Sequence, residues 1–203
     1  MPIAAILWDF GDTLADERWM WAPMPDAPDW TDVYRNHIAS GDLGSLWNIG
    51  AIDSLGVATR LAELTGQTVE RVRFHMRECC RHLQFYEGVM AYAGASGLPQ
   101  AIVTVNCDLF SEVVVPQYRL HIRFDAIVAS WQARTEDKAV LCEHALDRLG
   151  VRAPIEHCLL IDNREDNLAA WRAKGGAAYH FRGEAKFLQD IDGIVGDAPR
   201  GRT

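Results

Sequence analysis

Basic charge is what this sequence has too little of for several functions. Its 20 lysines and arginines face 28 aspartates and glutamates, a formal net charge of -8 over 203 residues. Nucleic acid and anionic membrane both reward a basic surface, so neither is expected as a partner. A small, locally captured substrate fits better. Cysteine is sparse too: Cys79, Cys80, Cys107, Cys142 and Cys158 form no C-x-x-C and no metal-type spacing, which argues against a disulfide framework and a zinc site. No apolar run approaches membrane-spanning length. The opening MPIAAILWDF has no basic n-region and no small-residue cleavage site, so it reads as a buried strand rather than a signal peptide. The expected location is the reducing cytoplasm. There is no internal repeat or low-complexity tract, and the closing GDAPRGRT reads as frayed.

What is present is a chain with 49% apolar residues, long enough for one domain with a sizeable insertion. Short apolar runs recur at IAAILW (3–8), AIVTV (101–105), DAIVA (125–129), CLLI (158–161) and AAYHF (177–181). Continuous rather than alternating apolarity is the mark of parallel strands covered on both faces. Helical patterns lie between them. In DKAVLCEHALDRLG, Cys142, Ala145, Leu146 and Leu149 share one face and Gly150 supplies a stop, while DNLAAWRAKGG ends on Gly175 and Gly176. The alternation predicts a doubly wound, Rossmann-like parallel α/β sheet. Residues 15–88 differ. Val57, Leu61 and Leu64, then Val69, Val72, Met76, Cys79 or Cys80, and Leu83 repeat with helical spacing and no strand pattern. A helical insertion is the economical reading: core at 1–14 and 89–203, insertion at 15–88.

Ligands of open α/β sheets sit beyond the carboxyl ends of the strands. Reading those ends gives Asp9, then Asn106 and Asp108, then Ser130, then Asp162 with Asn163, and Lys138 opens the helix before the fourth strand. Carboxylates gathered at one point repel unless a cation holds them, and hard oxygen donors suit magnesium. One lysine and one ion would balance two acids and a bound phosphate, which favours phosphoryl chemistry.

With these residues in view, the sequence resembles the haloacid dehalogenase superfamily of hydrolases, most of them magnesium-dependent phosphatases. WDFGDTL is similar to the family's strand-D-x-D-x-T motif, AIVTVN to its second, TEDKAVL to the helix-opening lysine of its third, and LLIDNREDN to the paired acids of its fourth. The four stand in order across nearly the whole chain, with 15–88 resembling the family's helical cap. The resemblance implies a phosphatase acting on a small phosphorylated metabolite. Asp9 would be the nucleophile that forms an aspartyl-phosphate. Lys138 would neutralise the transferring group, and Thr13 and Asn106 would bind its oxygens. Asp9, the Gly11 carbonyl, Asp162 and Asn163 would hold Mg2+.

Three departures matter. Gly11 replaces the family's second acid, which protonates the leaving oxygen and then activates water, work typically worth about 10²–10⁴-fold. Asp12, one residue on, is expected to point elsewhere, and it and Asp16 are expected to satisfy loop amides. Relatives with a similar D-x-G-x-[TV] pattern look like working phosphatases. Second, Val105 stands directly before Asn106 where a hydroxyl is usual, and alternation turns Thr104 the other way unless a bulge re-aims it. Third, Asn163 takes the place of a paired acid, with Asp166 and Asn167 available to hold the loop or a water shell. Two alternatives stay open: a metal-independent dehalogenase-like hydrolase, whose halide leaves without a proton, and a catalytically impaired ligand-binding member. The cationic face of the helix read over Thr68–Leu83 is either a substrate-binding face or a solvated one. Trp19, Trp21 and Trp30, in WMWAPMPDAPDW, either wall a pocket or pack a stiff hinge.

Overall fold

The computed structural model describes residues 2–16, 18 and 21–196. Trp19 and all but the first residue of the terminal GDAPRGRT lie outside that range. Five strands, β1 (Ala5–Trp8), β2 (Gln100–Thr104), β3 (Ala126–Ala129), β4 (Cys158–Asp162) and β5 (Ala177–His180), form one sheet in the order β3-β2-β1-β4-β5. All four pairings are parallel. The fold is α/β and Rossmann-like.

The apolar runs are continuous because each face of the sheet meets its own core. Ile6, Trp8, Ile102, Leu159 and Ile161 pack into one cluster, and Ala5, Leu7, Ala101, Val103, Cys158 and Leu160 into the other. The second cluster is closed by the helix Lys138–Leu149, which buries Ala139, Leu141, Cys142 and Ala145. Asp137 caps that helix, accepting from the Ala139 and Val140 amides, and Gly150 ends it at φ +65°. All five cysteines are buried and unpaired.

Between β1 and β2 run α1 (Trp30–Tyr34), a π-helical turn (Arg35–Ala39), α2 (Asp42–Asn48), α3 (Ser54–Thr65), α4 (Val69–Cys80) and α5 (Glu87–Ala95), which crosses residue 88. The Asp53 and Thr68 side chains cap α3 and α4. The expected face is the buried one: Val57 and Leu61 of α3, and Val72, Met76, Cys79 and Cys80 of α4. The α4 helix stops at Cys80, short of the Leu83 its spacing suggested. The only strand-like features outside the sheet, among the described residues, are single bridges such as Ala15 to Phe85.

One group of bonds ties this helical stretch to the sheet's loops. Asp108, beyond β2, is buried and accepts from Trp47 Nε1 (2.7 Å), the Ser54 amide (2.8 Å) and the Ser54 hydroxyl. Ser130 Oγ, beyond β3, lies 2.6 Å from the Asn48 carbonyl, and Arg134 donates to the Gly50 carbonyl. No helix among the described residues is long and apolar enough to cross a membrane.

Candidate active site

Register sets the site. Trp8 pairs with Ile161 on one side and Ile102 on the other, so Asp9 stands level with Asp162 and Val103, and its amide donates to the Ile161 carbonyl at 2.9 Å. Lys138 reaches into this level from its helix. Its Nζ lies 2.6 Å from Asp9 Oδ1, 3.0 Å from Asp162 Oδ2 and 2.9 Å from the Val103 carbonyl. Asp9, Lys138 and Asp162 are all buried. A buried ammonium is tolerated only when paired and hydrogen-bonded, and here it donates to Asp9 and the Val103 carbonyl and forms a second ion pair with Asp162.

The charges govern one another. Burial raises the Asp9 carboxyl to about 6, against the opposing pull of Lys138, and the Asp162 charge adds to the rise. Burial would lower Lys138, but the two carboxylates outweigh it and hold the ammonium above its ordinary range. Asp162 is fixed further by the Arg164 amide at 2.8 Å and by Asn167 Nδ2, 3.2 and 3.0 Å from its two oxygens. The Thr13 hydroxyl is buried 3.5 Å from Asp9 Oδ2.

Asp9 and Lys138 floor a cavity of about 730 Å³ that Gly11, Asp12, Asn106, Asn163 and Asn167 also border. Thr13 and the fully buried Asp162 are not on its surface, and stand behind it. Asp12, expected to turn away, borders the cavity, from a left-handed backbone at φ +51°. Asp16 accepts from the Arg18 amide at 2.9 Å, the loop role expected of it. Both Thr104 and Val105 border the cavity, because β2 ends at Thr104 and strict alternation ends with it. Asn106 accepts at Oδ1 from the Cys107 amide (3.0 Å), and its own amide donates to Ser130 Oγ at 2.8 Å. Cys107 also borders the cavity, and burial pushes its thiol up to about 12, far from a reactive thiolate.

The cations of α4 do not border this cavity. Arg71 pairs with Asp26, Arg77 with Glu112 and, just past the helix, Arg81 with Glu78, while His75 and His82 border an adjoining space of about 680 Å³ that shares Arg18 and Trp21 with it. Instead the cavity receives Arg18, Arg35 and Arg164, with Trp21, Tyr34 and Trp47 as aromatic neighbours. Of the tryptophans expected to wall a pocket or pack a hinge, Trp21 borders the cavity. Arg35, Tyr34 and Trp47 carried no signal, since their approach depends on the turn between α1 and α2.

No protein-family model matches the chain, and no curated protein matches it. Solved structures do. A HAD family enzyme from Bacteroides thetaiotaomicron superposes with a TM-score of 0.73 at 14% identity, covering 93% of this chain and 98% of that one. The same enzyme in complex with magnesium and inorganic phosphate gives 0.69 at 13% identity, over 90% and 96%. An L-2-haloacid dehalogenase from Xanthobacter autotrophicus gives 0.67 at 17% identity, over 96% and 85%. At such identities the likeness is one of fold: this chain has the fold of HAD-like hydrolases.

Proposed function

We propose that this chain is a magnesium-dependent phosphatase that hydrolyses a small phosphorylated metabolite through an aspartyl-phosphate on Asp9. The observation that carries the reading is the buried Asp9–Lys138–Asp162 cluster flooring a cavity of substrate size. With Oδ1 held by Lys138, Asp9 Oδ2 is the oxygen left to attack phosphorus, and the substrate's ester oxygen leaves. Water then cleaves the acyl-phosphate and returns the carboxylate. Lys138 stays charged throughout and offsets the negative charge spread over the transferring group, with Asn106 as a hydrogen-bonding partner for its oxygens. Thr13, expected to bind those oxygens too, is buried behind the cavity and reaches Asp9 Oδ2 instead.

The donors fit magnesium in kind. Asp9, the Gly11 carbonyl, Asp162 and Asn163 offer oxygen only, and Asp9, Gly11 and Asn163 border the cavity. Asp162, buried behind the cavity surface, would join them by giving up one of its two contacts with Asn167 Nδ2. When bound, the ion would supply charge stabilisation at the phosphoryl oxygens and favour ionised Asp9. In this reading residues 1–14 and 89–203 are the catalytic core, and 15–88 the cap that excludes water and selects the substrate.

p-Nitrophenyl phosphate tests it. Magnesium-dependent hydrolysis that EDTA removes and Asp9→Asn abolishes supports the reading; equal background rates from both proteins would leave a ligand-binding protein. With Gly11 in place of an acid, turnover should favour activated leaving groups. Gly11→Asp should raise rates on poor leaving groups more, toward the roughly 10²-fold or greater scale of a positioned general acid.

One observation favours a second reading. Lys138 already bridges the two carboxylates, and the described residues contain no group of three or more His, Cys, Asp or Glu suited to a metal. Attack of Asp9 on carbon with loss of halide needs neither metal nor proton donor. Activity on a 2-haloacid that survives EDTA would select it.

A further inference from the structure

The outer part of the cavity has its own chemistry. Resting on the phosphatase reading above, we infer that the substrate carries, beside its phosphate, a flat apolar body and a second anionic group seated on Arg35 over the Trp21 ring. The charged residues that border the cavity are two acids, Asp9 and Asp12, and four cations, Arg18, Arg35, Lys138 and Arg164. In a chain of formal charge -8 this is a local reversal of sign. Lys138 is committed to Asp9 and Asp162, so one phosphate at the floor leaves three guanidiniums outside it. The carboxylates that form ion pairs with them, Asp16, Asp32 and Asp166, are not among the residues that border the cavity, while Asp12, whose charge also acts on Arg18, is.

Arg35 is the best prepared of the three. Its guanidinium carbon stands 5.3 Å from the Trp21 ring centroid, a stacking that orients the planar fork. Among the described residues its one ion-pair contact, to Asp32, is long at 3.4 Å and solvated. A guanidinium has five N–H donors, so a bidentate carboxylate or phosphate finds partners there without breaking a strong bond. Arg35 also opens the π-helical turn Arg35–Ala39, and Arg35, Ile38 and Ala39 of that turn all border the cavity. Turns of this kind concentrate at functional sites because the extra residue re-aims the side chains. Trp47 also borders the cavity, and its indole N–H is held by Asp108, so that part of the wall is fixed. A cavity of about 730 Å³ accommodates such a molecule, since ligand pockets commonly span about 300–1,000 Å³.

Phenyl phosphate and 4-carboxyphenyl phosphate differ only in the second anion. The native protein should show a kcat/KM about tenfold or more higher for the carboxylated ester, carried by KM. Arg35→Gln should collapse the ratio to within about twofold, and Arg35→Lys, which keeps the charge but loses the fork, should restore part of it. No preference in the native protein, or one that survives Arg35→Gln, overturns the inference. Should neither ester be hydrolysed, p-nitrophenyl phosphate decides the phosphatase reading separately, and the subsite is decided without turnover. The two esters are then titrated onto Asp9→Asn protein, with and without Arg35→Gln, by tryptophan fluorescence. Tighter binding of the carboxylated ester that depends on Arg35 upholds the subsite, and equal binding rejects it.

Discussion

Lys138 and Arg164 border the same cavity and each pairs with aspartate, yet their surroundings are opposite. The Lys138 side chain is 1% exposed and its partner Asp162 0%, whereas Arg164 and Asp166 are each 64% exposed. At the floor the charges are nearly sealed from solvent, so a lost partner is poorly replaced by water and every group depends on the others. At the rim, water competes for each donor, so a pair there opens readily for an incoming anion. The molecule separates a rigid place for bond breaking from an exchangeable surface for choosing what is broken.

Breaking the floor should have the largest effect. Lys138→Met leaves two buried carboxylates facing each other, and stability should fall by about 3–5 kcal/mol in urea titration, with turnover lost. A midpoint within error of native would mean that water reaches the cluster. Next comes the cost of the nucleophile itself. The Asp9 carboxyl is raised from 3.8 to about 6, so the folded state holds its proton more tightly and native stability falls as pH rises through that window. Asn does not titrate. Without magnesium, Asp9→Asn should therefore gain on the native protein with rising pH, by on the order of 3 kcal/mol between pH 4 and pH 7. Melting curves at the two pH values check the sign, and a pH-independent gap refutes it.

The tie between the two regions ranks third. Asp108→Asn keeps shape but weakens acceptance from Trp47 and Ser54, and should cost about 1–3 kcal/mol and raise KM more than it lowers kcat. Arg164→Gln at the rim is the smallest, within about 1 kcal/mol of native by denaturation. A loss there as large as that of Lys138→Met would erase the distinction between floor and rim.

The same contrast governs what could be read from sequence. The five strands were visible within two residues at each end, because burial on both faces writes itself into the chain as unbroken apolarity. The Lys138 helix and its Gly150 stop were visible for similar local reasons. The rim was not. Arg35 lies over Trp21 through a π-helical turn that no spacing rule foretells, and Asp12 borders the cavity from a left-handed backbone, a conformation aspartate tolerates but its position in the sequence does not announce. Thr104 was expected to face away from Val105, but that argument holds only inside a ladder, and the ladder ends at Thr104.

The five cysteines have a practical consequence. Burial raises every one of their thiols, Cys79 to about 11 and Cys107 to about 12, so thiolate is scarce at neutral pH even where a side chain borders open space. Maleimide reacts with thiolate, so a single cysteine introduced on the outer face of α3 would label far ahead of the natural five. A fluorophore could then be attached there for distance measurements without first removing any native sulfur.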